Sequence, residues 1–157
     1  MKSRFIKLLM KMVKYHSIYL WGAQGELVNQ LSTETIINME TSEKNALRVI
    51  DFIALLNAFG MVKKETRAFD CSGLICWCLV LVGKETQGFD TTADGLFAKY
   101  KHTTKLRRGV LVHRKGHIGC YIGYNHVIEA KGRDYGVVIS PYNASDWDKE
   151  FADPWAS

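Results

Sequence analysis

Three of the four cysteines of this chain fall within FDCSGLICWCL, residues 69–79, an apolar run in which a thiol can be structural, metal-binding or reactive. The run continues into LVLVG, so it reads as a buried helix with Asp70 as its N-cap and Gly83 as its stop. On such a helix Cys71 and Cys78 share a face but lie ~10 Å apart along the axis, beyond disulfide reach. Cys76 and Cys78 point about 200° apart around the axis, so they do not chelate together and read as core. Cys71 instead opens the helix. There, free N–H groups and the positive end of the macrodipole favour a thiolate and can receive a developing oxyanion. Two readings stand for Cys71: a nucleophile, or a small buried thiol behind an Asp cap.

A nucleophilic thiol needs a base, and the base needs a group that orients it. GHIGCYIGYNHVIEAKG supplies both: His117 begins one predicted strand, and Glu129 follows twelve residues later, beyond a turn at Gly123–Asn125. A hairpin through that turn brings Glu129 back beside His117, where a carboxylate can fix the imidazole tautomer and stabilise the imidazolium. The plainer reading of Glu129 is an exposed strand carboxylate paired with Lys131 or Arg133. Its neighbours Val127, Ile128 and Ala130 argue for a buried setting. His126 is the rival for the base or orienting role. His113, His117 and Cys120 could suggest zinc, but a strand-turn-strand course spreads them and no fourth ligand has matching spacing, so neither a metal nor another cofactor is expected. His16 and His102 read as surface groups.

The elements that must carry these residues follow from the pattern along the chain. Residues 1–14 read as an amphipathic helix with Phe5, Leu8, Leu9, Met12 and Val13 buried and Lys7, Lys11 and Lys14 outward. A membrane-surface helix is the alternative. TSEKNALRVIDFIALLNAFG repeats Leu47, Ile50, Ile53, Ala54 and Asn57 at helical spacing, with Thr41 or Ser42 as cap and Gly60 as stop. DTTADGLFAKY suggests a short helix capped from 90–92. GVLVH, HIGCYIGY, HVIEAKG and YGVVISPY then predict a meander of antiparallel strands. Helices first and strands afterwards make an α+β domain.

Composition narrows the partners. The 157 residues suit a single domain, and the formal charge of +5 draws it towards anionic surfaces. The basic residues are dispersed, without the basic runs interleaved with aromatics that nucleic-acid binders often show, so no nucleic-acid partner is expected. No stretch is apolar enough for stable membrane insertion. The lysines of residues 1–14 leave no clean signal-peptide core or cleavage site, and the expectation is synthesis in a reducing cytoplasm, as the absence of a disulfide framework also suggests.

Four segments in order carry a resemblance: Tyr19-Leu20-Trp21-Gly22, Phe69-Asp70-Cys71-Ser72-Gly73-Leu74, Gly116-His117-Ile118-Gly119-Cys120-Tyr121-Ile122-Gly123 and Val127-Ile128-Glu129-Ala130. Together they resemble the motifs of the NlpC/P60 cysteine peptidases over roughly residues 16–140. The resemblance implies a papain-like α+β fold, with N-terminal helices packed on a C-terminal antiparallel sheet. It also implies cleavage of bacterial peptidoglycan stem peptides, commonly between D-glutamate and a diamino acid. Carried over residue by residue, it implies Cys71 as nucleophile, His117 as base, Glu129 in the third polar position and Tyr19 near the oxyanion. Trp21, Asp70, Ser72, Thr91 and Thr92 are the substrate-facing candidates, with helix capping the plainer role for the threonines.

The sequence departs from the family pattern at Ala23, where a second glycine is usual, and at Arg108 and Val110, where a Pro and an Asp are usual. It also carries a long helical insertion at about 26–66 within the single catalytic domain of 1–157. The expected activity is that of an endopeptidase, such as a phage or prophage endolysin or a wall-degrading effector, reaching the wall after release or delivery by another route. An N-acetylmuramoyl-L-alanine amidase of the same papain-like type and a non-catalytic wall-binding or virion module are the alternatives.

Overall fold

In a computed structural model describing residues 1–157, the first helix, α1 (Lys2–Lys14), lays Phe5, Ile6, Leu9 and Met12 into the core. Leu8 and Val13 are only half-buried, and Ile6 takes a core position the expected stripe had omitted. Strands β1 (Ile18–Tyr19) and β2 (Gln24–Leu27) follow. Two helices come next, α2 (Thr33–Met39) and α3 (Glu43–Ala58), capped by Ser32 and Ser42, whose hydroxyls accept the Thr35 and Asn45 amides. The chain returns as β3 (Arg67–Phe69) and enters α4 (Cys71–Leu81). A short helix, α5 (Ala93–Lys99), precedes β4 (Lys101–Thr103), β5 (Leu111–Arg114), β6 (His117–Gly123), β7 (His126–Gly132), β8 (Gly136–Pro141) and β9 (Phe151–Asp153).

The face of α3 differs from expectation. Ala46, Val49 and Leu56 are buried, whereas Leu47 is 51% exposed, because the helix rests on the small sheet with its stripe turned by about one residue. That sheet has the order β1-β3-β2 and is mixed: β1 runs parallel to β3, and β2 antiparallel. The larger sheet has the order β4-β9-β5-β6-β7-β8, and all its pairings are antiparallel. The expected meander is β5 to β8. The last strand, β9, which periodicity did not reveal, slots between β4 and β5.

Two features of this arrangement position the site. Helix α4 is apolar on nearly all sides and buried through its middle, with Leu74, Ile75, Cys76, Cys78 and Leu79 packed between α1 and the inner face of the large sheet, while Cys71 at its start is half-buried and Leu81 at its end is exposed. Burying the helix fixes its N-terminus in space. The outer face of the sheet is also covered: Val110, Val112, Val127 and Phe151 pack beneath Trp147, which arrives on the segment after β8. Strand β6 therefore has a filled layer on each side, and its first residue, His117, stands at the rim between them.

Candidate active site

Cys71 sits in the first turn of α4, half-buried, directly after the Asp70 cap. Its Sγ lies 3.8 Å from the carbonyl oxygen of Gly116, and the Ile118 amide also approaches the thiol. Both groups flank His117 in the chain, so the turn into β6 brings the backbone on either side of this histidine to the sulfur. Burial pushes the Cys71 thiol up, as does the Asp70 charge, while the amides of Ser72, Ile118 and Cys71 itself pull it down; burial prevails. The resting group is thus a thiol, where the helix terminus alone had suggested a thiolate, and its chemistry depends on proton removal.

His117 Nε2 is 2.9 Å from Glu129 Oε1. The register Cys120↔Ile128, continued by one residue, sets Glu129 opposite Gly119, on the same outer face as His117. A Cβ at Gly119 would meet Val127 Cγ1 at 2.8 Å and Glu129 Cβ at 3.2 Å, so only a glycine leaves the carboxylate room to reach the ring. Glu129 is 5% exposed. Burial alone would raise its pKa, but the His117 hydrogen bond and charge, followed by Ser140 and Arg114, hold the carboxyl below its ordinary value. An ionised Glu129 accepts hydrogen from Nε2, which leaves Nδ1 as the nitrogen free to take a proton.

The wall facing Cys71 is built by strand pairing. β1 runs parallel to β3 with Tyr19 opposite Phe69, two residues before Cys71. Asp70 then ties the loop to the helix: one carboxylate oxygen accepts the Gly73 amide at 2.6 Å, and the other accepts the Gly22 amide at 3.0 Å. A Cβ at Gly73 would stand 2.1 Å from the Ala23 carbonyl oxygen, so the glycine after Ser72 permits this close approach. Burial, then the charges of Cys71 and Asp70, raise Tyr19 to about 12, which keeps its hydroxyl a neutral donor.

A cleft of about 350 Å³ is lined by Tyr19, Trp21, Asp70, Cys71, Ser72, Thr92, Ala93, Asp94 and Gly116. The structure thus brings Tyr19, Trp21, Asp70, Ser72 and Thr92 around the thiol. Thr92 also caps α5 through Gly95, and Thr91 sits just outside the lining, its carbonyl facing the Cys76 thiol. His126 is exposed at the start of β7, away from this cluster. His113, His117 and Cys120 do not converge, and no group of three or more metal-ligating side chains forms.

Two features escaped the sequence reading. Trp147 stacks on His117 with ring centroids 5.5 Å apart and planes at 23°. His113 is held at both nitrogens, Nδ1 by Asp148 at 2.6 Å and Nε2 by Asp94 at 2.7 Å, with Phe97 stacked on its ring. The same Asp94 oxygen accepts the Gly116 amide at 2.9 Å, so this network holds the turn that meets Cys71. Their partners come from distant segments, and only the short helix expected after 90–92 hinted at where Asp94 would lie.

The NlpC/P60 family model matches residues 58–156, nearly two thirds of the chain, and the protein belongs to this family of peptidoglycan hydrolases. No curated protein matches the sequence. Among solved structures, the P60 domain of antigen MAP1204 from M. avium subspecies paratuberculosis is 17% identical, with a TM-score of 0.59 over 99% of this chain and 96% of that one. The peptidoglycan hydrolase RipB from Mycobacterium tuberculosis is 15% identical, with a TM-score of 0.63 over 99% of this chain and 65% of the other. RipD from the same organism, described as a non-catalytic NlpC/p60 domain protein adapted to peptidoglycan binding, is 14% identical, with a TM-score of 0.60 over 96% and 95%. At these identities the likeness speaks for the fold. Members of the family are usually cysteine peptidases, and some have lost catalysis.

Proposed function

We propose that the protein is a peptidoglycan endopeptidase working through a Cys71 thioester, in a single domain whose segment at about 26–66 is a helical insertion. The carrying observation is the Cys71 thiol against the Gly116 carbonyl, with the adjoining His117 bonded to a buried Glu129. In this mechanism His117 Nδ1 takes the thiol proton as Sγ attacks the scissile carbonyl carbon. The Cys71 amide and the Tyr19 hydroxyl stabilise the oxyanion. The C–N bond then breaks, the amine leaves with the proton from His117, and the acyl group remains on sulfur. Water, losing a proton to His117, hydrolyses the thioester and restores the thiol.

Stem peptides are the proposed substrate, and the D-glutamyl–diamino acid amide the proposed bond. Trp21, Asp70, Ser72 and Thr92 line the substrate side, with Thr91 behind them. Action on the wall follows release or delivery, and no helix is long and apolar enough to cross a membrane. Mass spectrometry of walls digested with the protein tests this reading. New amine termini on diamino acids are expected, lactyl-free stem peptides would indicate the amidase, and wall binding without any product would indicate a module of the kind described for RipD.

A further inference from the structure

The mechanism above leaves one buried ion pair unused. Glu40 closes α2, inside the helical segment between β2 and β3, and its side chain is 0% exposed. Its Oε1 accepts two hydrogen bonds from Arg133, from Nε at 2.9 Å and Nη2 at 2.6 Å. Its Oε2 accepts the backbone amide of Trp21 at 3.0 Å. The Arg133 guanidinium in turn lies over the ring of Tyr19, 5.3 Å from its centroid.

Consecutive amides of one loop are therefore held by two carboxylates from different parts of the chain. Glu40 holds Trp21 from the helical segment, while Asp70 holds Gly22 from the catalytic helix. Strand β1, which carries Tyr19, is only two residues long and supplies little rigidity of its own. A buried ion pair is weak evidence for stability, because desolvation offsets its attraction, so a stabilising role alone accounts poorly for it. The planar guanidinium and three fixed donors on one carboxylate do restrict geometry closely.

We propose that Glu40 and Arg133 are positioning residues of the cleft, holding Trp21 and Tyr19 in place against Cys71, so that the helical segment at about 26–66 forms part of the site's support. This rests on the hydrolase reading. Arg133 also works against the burial that weakens Tyr19 as a donor, since its charge favours the ionised phenol.

A double-mutant cycle tests it. Steady-state constants are measured on a soluble γ-D-glutamyl-diamino acid peptide for wild type, Arg133→Met, Tyr19→Phe and the double variant. Arg133→Met is expected to lower kcat about 10-fold with KM nearly unchanged, and to cost less than about two-fold once Tyr19 is already Phe. Arg48→Ala breaks the exposed Arg48–Asp134 pair between α3 and the neighbouring residue of the same turn, and should leave both constants within about two-fold. Fully multiplicative losses, or no loss in Arg133→Met, overturn the proposal. If Arg133→Met does not fold, Glu40→Gln replaces it in the same cycle. NMR of ¹³C-labelled tyrosine rings, with Tyr19 assigned from Tyr19→Phe, reads the clamp without turnover. The Tyr19 signal should shift in Arg133→Met or Glu40→Gln. Absence of wild-type hydrolysis would sink the hydrolase reading alone, whereas an unmoved Tyr19 signal would sink the clamp.

Discussion

Glu129 Oε1 meets His117 Nε2 at 2.9 Å across neighbouring strands, and the glycine between them in the lattice of side chains, Gly119, makes the contact possible. Glu129→Gln keeps the shape but removes the charge that stabilises an imidazolium. Hydrolysis should fall at least about 100-fold with the fold intact, measured by product release and circular dichroism.

The same pair has a signature in acid. Because the folded state holds the Glu129 carboxyl below its ordinary value of 4.5, the contribution to stability is present above that value and lost as pH falls through the lower folded one. The Tm advantage of wild type over Glu129→Gln should therefore be full near pH 6 and shrink below about pH 4. A difference that does not change over this range would show that the carboxylate carries no such linkage.

In the proposed mechanism Tyr19→Phe removes one of two oxyanion donors and leaves the Cys71 amide. A loss of about 100-fold in kcat, roughly 3 kcal/mol of barrier, is expected, with measurable activity remaining. Since burial pushes the Tyr19 phenol up to about 12, wild type should show no loss of activity from its ionisation between pH 7 and 10.

Trp147 shields and stacks on the His117 ring, so an aromatic replacement should preserve more than a small one. Trp147→Phe is expected to keep kcat within about 10-fold of wild type, while Trp147→Ala loses more and also costs about 3 kcal/mol of stability in denaturant unfolding. Equal kinetics in the two variants would assign the residue to packing alone.

His113 joins α5, β5 and the segment before β9 through Asp94 and Asp148. Removing it in His113→Ala leaves two carboxylates facing each other across a hole and frees the Gly116 turn. A loss of about 3 kcal/mol in denaturant unfolding is expected, together with a lower kcat. Unchanged unfolding would mean the network is not held in solution.

The parts of the site that could be read from residues share a cause. Cys71 announced itself because an N-cap and an apolar helix leave few places for the first-turn residue. His117 and Glu129 could be brought together because one hairpin turn at Gly123–Asn125 lies between them. Trp147, His113 and the Glu40–Arg133 pair stayed hidden because each contact joins segments far apart in the chain, with no periodicity to link them. The parallel pairing of β1 with β3 was equally silent: two residues are too short to show a strand pattern, although they set Tyr19 beside the start of α4. On α3 the repeat identified a helix correctly but misjudged its buried face, since the exposed Leu47 and Leu55 are as apolar as the buried Ala46, Val49 and Leu56 beside them.

The most direct measurement is the digestion of purified peptidoglycan by wild type and by Cys71→Ala, matched for fold by circular dichroism and read by mass spectrometry of the soluble products. Wild type should release peptides with newly exposed diamino acid amines, and Cys71→Ala should release none above the enzyme-free control. Equal release by both proteins would contradict a sulfur nucleophile at this position.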